Sequence, residues 1–449
     1  MEITARVKKY ISGSRFFNEI PVTLRKSIFI VGGLMPSLHF KKNTDDIDCA
    51  VPDLPAFKGS LEKVLGRKLH LIEDKKGNKV IKFIHGGINF DISEIAGSID
   101  RDARRRDFTV NAIFYDCGKN EIRDPLGGID DLESGALRCC TPDFLSADPV
   151  RFLRYYRYLL RFPKLIPDKR TGSLINAFET GHLFDSSVER IVLELKKIMT
   201  FENSFDAVKE IEGKGILSRL FPSLSLLKGL EQNEYHSFDV YRHSILAYRW
   251  AEYYMSRFVY EGDPAVLKLA ALLHDIGKHP AAKDVEGRTR FHGHETLGGD
   301  IAAKELEALH FSNREISAIT GHIKNHMDLA YLKFSENFQL KAVRKFLRKA
   351  GDDIEAAFIL FLADGAAAHD RPDMEQEAFV KRIRADVAAI KNAEFSAFSL
   401  KGEDLIKIGY KEGPSVGKMI RRICELRDEG KIRTKREAIR YAKKSLKDH

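Results

Sequence analysis

Two aspartates one residue apart, shortly after a pair of glycines, are the strongest chemical signal in this chain. The glycines are Gly32 and Gly33, and the aspartates are Asp46 and Asp48. Side chains at positions i and i+2 of a strand point to the same face, so the two carboxylates can hold a divalent metal. Glycine has no Cβ, so its backbone can approach a phosphate closely. Together these features predict a phosphoryl-transfer site.

A third carboxylate, Asp91, lies in the apolar stretch Ile88–Ser93, which has the composition of a strand. If that strand lies beside the strand of Asp46 and Asp48, three carboxylates can hold two Mg²⁺ ions. One ion would activate an attacking hydroxyl and the other would neutralise a leaving pyrophosphate. An isolated aspartate is more often a turn or cap residue. The prediction that Asp91 binds metal therefore depends on its being close to Asp46 and Asp48.

A basic cluster with hydrogen-bonding neighbours follows the third carboxylate. Arg105 and Arg106 precede Asp107, and Asn111 comes four residues later, ahead of an apolar stretch. Guanidinium groups bind phosphate in a bidentate manner, and Asp and Asn side chains suit ribose hydroxyls. The cluster therefore predicts sugar and triphosphate binding, although charge runs elsewhere are usually only solvated.

The elements that must position these residues change character along the chain. Short β-branched stretches occur only in the first 135 residues or so, whereas helical periodicity dominates from about Pro142 onward. The pattern predicts an α+β fold, with a small mixed-sheet head followed by helical regions. The predicted strands are Ser27–Val31, Asp46–Val51, Val80–Ile84, Ile88–Ser93 and Ala112–Tyr115.

Length and composition limit the class of protein. The 449 residues are too many for one hydrophobic core and suggest roughly three domains. A formal net charge of +9 suits a polyanionic partner such as nucleic acid. Five cysteines without a C-x-x-C pair argue against a disulfide framework or a zinc finger. Without a signal peptide or an apolar membrane span, we expect a cytoplasmic protein and no membrane partner.

The motifs together resemble a known family. The glycine pair, Asp46-x-Asp48, residues 102–112 and Asp124–Gly128 are similar to motifs of the class II tRNA nucleotidyltransferases, the CCA-adding enzymes, and of bacterial poly(A) polymerases. The resemblance implies tRNA, CTP and ATP as partners and Mg²⁺ as cofactor. It implies four regions, with the oligomeric state unknown: a nucleotidyltransferase head (1–139), a helical neck with a base-selection helix (140–215), an HD domain (216–390) and a basic tRNA-binding tail (391–449).

The neck carries a pair that could choose the base. Asp148 and Arg151 are three residues apart and would share one face of a helix, on which Arg154 and Arg157 continue. A carboxylate can accept from the exocyclic amine of C or A, and a guanidinium can donate to the adjacent ring nitrogen. U and G would leave both groups unpaired, at a cost of about 1–3 kcal/mol each. A simple salt bridge on a helix explains the same spacing.

A second group of histidines and aspartates lies between His243 and Asp364. Their order resembles that in the HD phosphohydrolases, which are helical and metal-dependent. The resemblance assigns His243, His274, Asp275 and Asp364 to one metal and makes His294 and His326 available for a second. Such ligands suit a divalent transition metal better than Mg²⁺. A metal-bound water would then attack a phosphoester, unless the site is only scaffold.

Two departures from the family pattern leave the product undecided. Pro36-Ser37 stands where the family has Arg-Asp, and His39, Lys41 or Lys42 could replace the lost charge. The segment between Asp91 and Asp102 is short, as in enzymes that add only CC. CCA addition, CC-only addition and poly(A) synthesis therefore remain open. So does a phosphohydrolase whose weakened head only binds RNA.

Overall fold

The computed structural model of the chain describes residues 3–73, 79–232, 237–286, 288–333, 340–351, 353–397, 400–428, 431–432 and 434–447. Arg433, one of the basic residues of the predicted tail, lies outside these ranges. The chain divides into two compact units, Met1–Phe201 and Glu202–His449. The finer division into four regions stays a prediction.

The first unit is built on a seven-stranded mixed sheet. Its strand order is β3-β4-β5-β2-β1-β6-β7, in which β2 and β5 run parallel and the other neighbours pair antiparallel. The strands of this unit are β1 Phe29–Val31, β2 Asp46–Val51, β3 Leu71–Glu73, β4 Lys79–His85, β5 Ile88–Glu94, β6 Phe114–Asp116, β7 Glu121–Arg123, β8 Ala136–Leu137 and β9 Ile166–Pro167, the last two forming a separate pair.

Helices surround this sheet and extend the first unit beyond it. They are α1 Ile3–Gly13, α2 Arg15–Glu19, α3 Val22–Arg25, α4 Leu34–His39, α5 Leu54–Leu65, α6 Ile99–Arg104, α7 Gly128–Ser134, α8 Phe144–Ala147, α9 Arg151–Arg161, α10 Lys169–Asn176 and α11 Val188–Met199, with 3₁₀ turns at Thr109–Asn111 and Thr180–Asp185. Phe152, Tyr155 and Tyr156 form a buried face of α9, and helical geometry puts Arg154, Arg157 and Arg161 on the opposite side. Arg151, at the start of the helix, is itself buried.

The second unit is helical apart from one hairpin. Its elements are α12 Phe205–Gly213, α13 Ile216–Leu220, α14 Pro222–Ser225, α15 Val240–Met255, α16 Pro264–Leu273, α17 Lys278–Ala281, β10 Lys283–Val285, β11 Arg288–Arg290, α18 His294–Ala308, α19 Asn313–Asn325, α20 Asp328–Lys333, α21 Leu340–Ala350, α22 Ile354–His369, α23 Met374–Ala397, α24 Gly402–Ile406, α25 Pro414–Asp428 and α26 Lys435–Lys447. The main core of this unit packs α15, α16 and α22 together, and α24–α26 have a small core of their own.

The predicted α+β class is confirmed, and each predicted strand has a counterpart. Six strands were not predicted. Of these, β3, β10 and β11 are exposed along their whole length and lack an apolar period. The others, β7, β8 and β9, have only two or three residues each. The expectation that the arginine cluster continues directly into a strand is wrong, since the 3₁₀ turn Thr109–Asn111 precedes β6. All five cysteines are free thiols.

Candidate functional sites

The parallel pair β2–β5 brings the three predicted carboxylates onto adjacent strands. In the register, Asp48 lies opposite Asp91 and Asp46 lies opposite Asn89. The Asn89 side-chain amide donates to Asp46 Oδ1 over 2.8 Å and so orients that carboxylate. The sequence pattern placed Asp91 correctly but could not identify Asn89, because its role depends on the strand register.

A lysine holds the third carboxylate. Lys82 on β4 lies directly opposite Asp91 in the antiparallel register, and its ammonium group donates to Asp91 Oδ2. Both side chains are exposed by more than a third, so solvent weakens this ion pair. No motif indicated Lys82.

Gly32 is required by the close approach of Asp48. Its φ is +78°, and a Cβ at this position would overlap the Asp48 carboxylate. The backbone N–H of Gly33 donates to the same carboxylate. Burial raises the pKa of Asp48, and the charge of Arg106 acts in the opposite direction. The glycine pair therefore shapes the carboxylate site and also leaves backbone open beside it.

Hydrogen-bond donors surround Asp107 next to these carboxylates. Asn111 donates to Asp107 Oδ1 over 2.7 Å, and Arg154 Nη1 lies 3.4 Å from Oδ2. Burial acts to raise the pKa of Asp107, but Arg154, Asn111 and Arg151 outweigh it and hold the pKa below its ordinary value. Asp107 is therefore an anion that fixes the arginines near it.

Glu194 fixes two further arginines. Its Oε1 accepts from Arg154 over 3.2 Å, and its Oε2 lies 2.7 Å from Arg157 Nε. The Glu194 side chain is only 6% exposed, so its contacts with the two guanidinium groups compensate for its burial. The available signal in the sequence was an acidic residue on the buried face of the amphipathic helix α11.

These groups line one cavity of about 910 Å³, here called the nucleotide recess. Lys82, Asn89, Glu194 and Lys197, which were not predicted, also line it, as does Arg161. The predicted site residues that line it are Gly32, Gly33, Asp46, Asp48, Asp91, Arg105, Arg106, Asp107, Asn111, Arg151, Arg154 and Arg157. An opening of this size with both carboxylates and guanidinium groups suits a metal-bound polyphosphate.

The expectation that Asp148 and Arg151 share a helical face is wrong. Helix α9 begins at Arg151, whereas Asp148 precedes it in an extended conformation. Arg151 donates to the carbonyl oxygens of Phe144 and Arg105, while Asp148 pairs with Arg190 at 2.6 Å. Proline at position 149 prevents a helical conformation of Asp148 and separates the two side chains. Their role in base choice stays a prediction.

Ser37 links the glycine turn to helix α9. Its hydroxyl donates to the Gly33 carbonyl over 2.6 Å and accepts from Arg161 over 3.2 Å. His39, Lys41 and Lys42 line a separate cavity, and the suggestion that one of them replaces the lost charge stays a prediction. Arg161, 124 positions later in the chain, supplies a guanidinium at this point.

The six predicted ligands of the second unit converge on Asp275. One group contains His243, His274, Asp275 and Asp364, and the other contains Asp275, His294 and His326, with donor atoms within 4.8 Å of one another in each group. Asp275 Oδ2 lies 3.2 Å from His274 Nε2, and Oδ1 lies 3.3 Å from His294 Nε2. Asp275 can therefore bridge two metal ions.

Backbone carbonyls set the tautomers of three of these histidines. Nδ1 of His274, His294 and His326 lies 2.7–2.9 Å from the carbonyl oxygen three residues earlier in each case. Donation from Nδ1 leaves the Nε2 lone pair directed at the cluster, as a metal ligand requires. The donor set, its burial and these outer contacts fit divalent metals.

The two carboxylates of the buried cluster attract positive charge, which a proton supplies when no metal ion is bound. Burial acts to lower the pKa of His274, but Asp275 and Asp364 overcome it and raise that pKa to about 10. Such strongly coupled, buried ionisable groups are typical of functional sites. Lys278 Nζ lies 2.7 Å from Asp275 Oδ2. Gly277 allows close packing, because a Cβ there would overlap the His294 backbone.

Comparisons with known proteins agree with both sites. The family model of the poly A polymerase head domain matches residues 28–138, and that of the HD domain matches residues 235–368. An A-adding tRNA nucleotidyltransferase of Deinococcus radiodurans is 27% identical over 91% of this chain and 93% of its own. A CC-adding tRNA nucleotidyltransferase of Thermus thermophilus is 27% identical over 94% of each chain.

A solved structure shares the fold over nearly the whole length. The Thermotoga maritima CCA-adding enzyme in complex with tRNA is 21% identical, covers 98% of both chains and superposes with a TM-score of 0.61. The described residues include no helix that is both long and apolar enough to cross a membrane. The motifs, the two sites and the comparisons lead to one conclusion: the chain carries a poly A polymerase head domain and an HD domain, and over more than nine-tenths of its length it is similar to tRNA nucleotidyltransferases.

Proposed function

We propose that this protein adds C and/or A nucleotides to the 3′ end of tRNA without a nucleic-acid template. The observation that carries the proposal is the nucleotide recess, where the carboxylates of Asp46, Asp48 and Asp91 face a set of guanidinium groups in one cavity. The 3′-hydroxyl oxygen bonds to the α-phosphorus of CTP or ATP, and pyrophosphate leaves. The expected location of this reaction is the cytoplasm.

The carboxylates are the residues that would hold Mg²⁺. Asp46 and Asp48, with Asp91, offer only oxygen donors, which Mg²⁺ prefers. When bound, the metal supplies charge neutralisation and makes a hydroxyl easier to deprotonate. Asn89 and Lys82 orient two of these carboxylates. The backbone at Gly32 and Gly33 leaves the space that a phosphate needs.

The basic side chains bind the nucleotide. Arg105 and Arg106 contact the triphosphate. At the ribose, Asp107 accepts a hydrogen bond and Asn111 donates one. Arg154 and Arg157, which Glu194 holds in place, complete the positive wall. Fixed donors of this kind lower the barrier because they need no reorganisation during the reaction.

Base choice is assigned to Asp148 and Arg151. Arg151 already lines the nucleotide recess, whereas Asp148 must exchange Arg190 for the exocyclic amine of C or A. Oδ1 of Asp148 is buried and has no hydrogen-bond partner among the described residues. An acceptor of this kind favours a donor that arrives with the substrate.

We also propose a phosphohydrolase activity for the HD domain. The supporting observation is the bridging position of Asp275 between two buried groups of ligands. A divalent transition metal suits these nitrogen and oxygen donors. When bound, such a metal supplies a nucleophilic hydroxide for attack on a phosphoester. Lys278 lies close enough to bind the phosphate oxygens.

One assay decides which nucleotides are added. Transfer RNA that ends before CCA is incubated with CTP alone, ATP alone or both, and product lengths are read. Three added residues with both nucleotides mean CCA addition, and two mean CC addition. A long ladder with ATP alone means poly(A) synthesis. The relatives at 27% identity include both an A-adding and a CC-adding enzyme, so similarity alone does not decide which nucleotides this protein adds.

Asp46→Ala tests the catalytic assignment to the head. We expect incorporation to be lost, with Asp45→Ala, which changes an exposed neighbour outside the recess, as the matched control. If the Asp46 variant still adds nucleotides, the transferase assignment is wrong. If the wild-type protein adds none but hydrolyses phosphoesters, the protein is instead an HD phosphohydrolase with an RNA-binding head.

A further inference from the structure

A second cavity of the first unit lies beside the nucleotide recess. It has a volume of about 670 Å³ and is called the basic recess here. The residues that matter for its chemistry are Phe40, Lys41, Lys42, Glu133, Phe162 and Lys164. No motif indicated this cavity, because its walls come from three separate parts of the chain.

The basic recess carries an excess of positive charge. Lys41, Lys42 and Lys164 are all exposed, and Glu133 is the one carboxylate among its lining residues. Within the described ranges, none of the three ammonium groups lies within 4.0 Å of a carboxylate. Burial lowers the pKa of His39, and the charges of Arg6 and Lys164 add to that effect. The recess therefore favours an anion that arrives from outside the chain.

The backbone holds the two adjacent lysines in a defined position. Arg6 Nη1 donates to the carbonyl oxygens of Leu38 and His39, each over 2.8 Å. Lys41 has a φ of +55°, which is uncommon for a residue other than glycine. The Lys42 N–H donates to the Ser37 carbonyl over 2.8 Å. Several contacts therefore fix the backbone of this turn, so only the lysine side chains need to be ordered when they bind.

One aromatic ring separates the two cavities. Phe162 lines both the nucleotide recess and the basic recess, and its ring packs against Phe40 with centroids 5.4 Å apart. Arg161, the preceding residue, donates to the carbonyl of Asn43 over 3.3 Å. Because the two cavities share this ring, a phosphate bound in the basic recess lies near a 3′ hydroxyl that enters the nucleotide recess.

We propose that the basic recess binds the phosphodiester backbone of the last few nucleotides of the RNA acceptor, through Lys41, Lys42 and Lys164. The inference rests on the proposed function, since it needs an RNA 3′ end at the nucleotide recess. Phosphate groups could also come from a second nucleotide or from pyrophosphate. The RNA backbone is favoured because the cavity adjoins the recess in which the 3′ end reacts.

The test replaces the three lysines together. The variant Lys41→Gln/Lys42→Gln/Lys164→Gln is compared with Lys63→Gln/Lys68→Gln/Lys119→Gln, which removes equal charge from exposed positions that line neither cavity. Fluorescence anisotropy measures the dissociation constant for tRNA lacking CCA at salt concentrations from about 50 to 200 mM. Over roughly this range, affinity that comes from phosphate contacts falls steeply. The KM for CTP and inhibition by tripolyphosphate are measured in parallel.

We expect the first variant to bind tRNA at least about tenfold more weakly than the control variant. The plot of log association constant against log salt concentration has a negative slope, and its magnitude should be smaller by about 2 in this variant. Each phosphate contact contributes about 0.7–0.9 to that magnitude. The KM for CTP and the inhibition by tripolyphosphate should stay unchanged. Restoring positive charge with arginine at the same three positions should recover most of the tRNA affinity, which a folding defect would not permit.

Two results would overturn the inference. In the first, both triple variants bind tRNA equally well while the wild-type protein adds nucleotides, which leaves the proposed function intact. In the second, tRNA affinity is unchanged but the KM for CTP or the tripolyphosphate inhibition shifts, which assigns the basic recess to free phosphates. If wild-type protein adds no nucleotides at all, the proposed function fails separately.

Discussion

The two candidate metal sites of this protein differ in how exposed their ligands are and in which donor atoms they offer. In the nucleotide recess, Asp46 is exposed and the Asp91 side chain is 36% exposed, and both carboxylates are contacted by polar side chains. In the HD domain, His243, His274 and Asp275 are at most 1% exposed. An open site of oxygen donors suits a metal that arrives with its polyphosphate, whereas a closed site of imidazoles suits a resident metal.

The difference also appears in what orients the ligands. Backbone carbonyls fix the histidines of the HD domain, so that site is preformed by its helices. Side chains fix the groups of the nucleotide recess, as Lys82 does for Asp91 and Glu194 does for two arginines. Side chains can exchange partners when substrate binds, but carbonyls of a packed helix cannot. The first site is therefore adaptable and the second is rigid.

The largest expected effect comes from Asp275→Asn. Since Asp275 belongs to both groups of ligands, the variant should lose bound transition metal and with it any phosphohydrolase activity. Elemental analysis of purified protein measures the metal content directly. Nucleotide addition should be unchanged, and Asp300→Asn, an exposed change in the same unit, should leave both properties unchanged. Retention of metal by the Asp275 variant would contradict the bridging assignment.

A smaller effect is expected from Glu194→Gln in the nucleotide recess. Loss of the carboxylate leaves Arg154 and Arg157 without their shared anchor, which should lower kcat/KM for CTP by about 10- to 100-fold, since a charged hydrogen bond contributes about 1.5–3 kcal/mol. Metal content should not change. Glu179→Gln, an exposed change, is the control. Equal kinetics in the two variants would show that Glu194 is only scaffold.

The smallest of the three effects is expected from Arg161→Gln. Arg161 contacts Ser37 beside the glycine turn, in place of the charge that the family pattern has there. Removal of one half-exposed guanidinium should raise the KM for both CTP and ATP by about 3- to 10-fold, or roughly 1 kcal/mol. Arg170→Gln, on the exposed surface, should show wild-type values. An unchanged KM would remove Arg161 from the triphosphate site.

Much of both sites could be predicted from local pattern. The Asp-x-Asp spacing was enough to place Asp46 and Asp48 together, because strand geometry fixes where alternate side chains point. Asp91 joins them because β5 pairs with β2, a neighbour relation that the sequence analysis had to assume. The order of histidines and aspartates identified all six residues of the HD cluster. The Asp148–Arg151 pair failed for a local reason as well, since Pro149 interrupts the helix that the spacing requires.

The amino-acid sequence by itself indicated the class of fold, the candidate metal ligands and the resemblance to a family, because these follow from residue type, spacing and motif order. Only the tertiary structure decided the partners of those residues. Lys82, Glu194 and Arg161 contact the nucleotide recess through strand register and helix packing. The basic recess likewise joins residues more than 120 positions apart. Such contacts depend on how distant segments pack, and no local pattern carries that information.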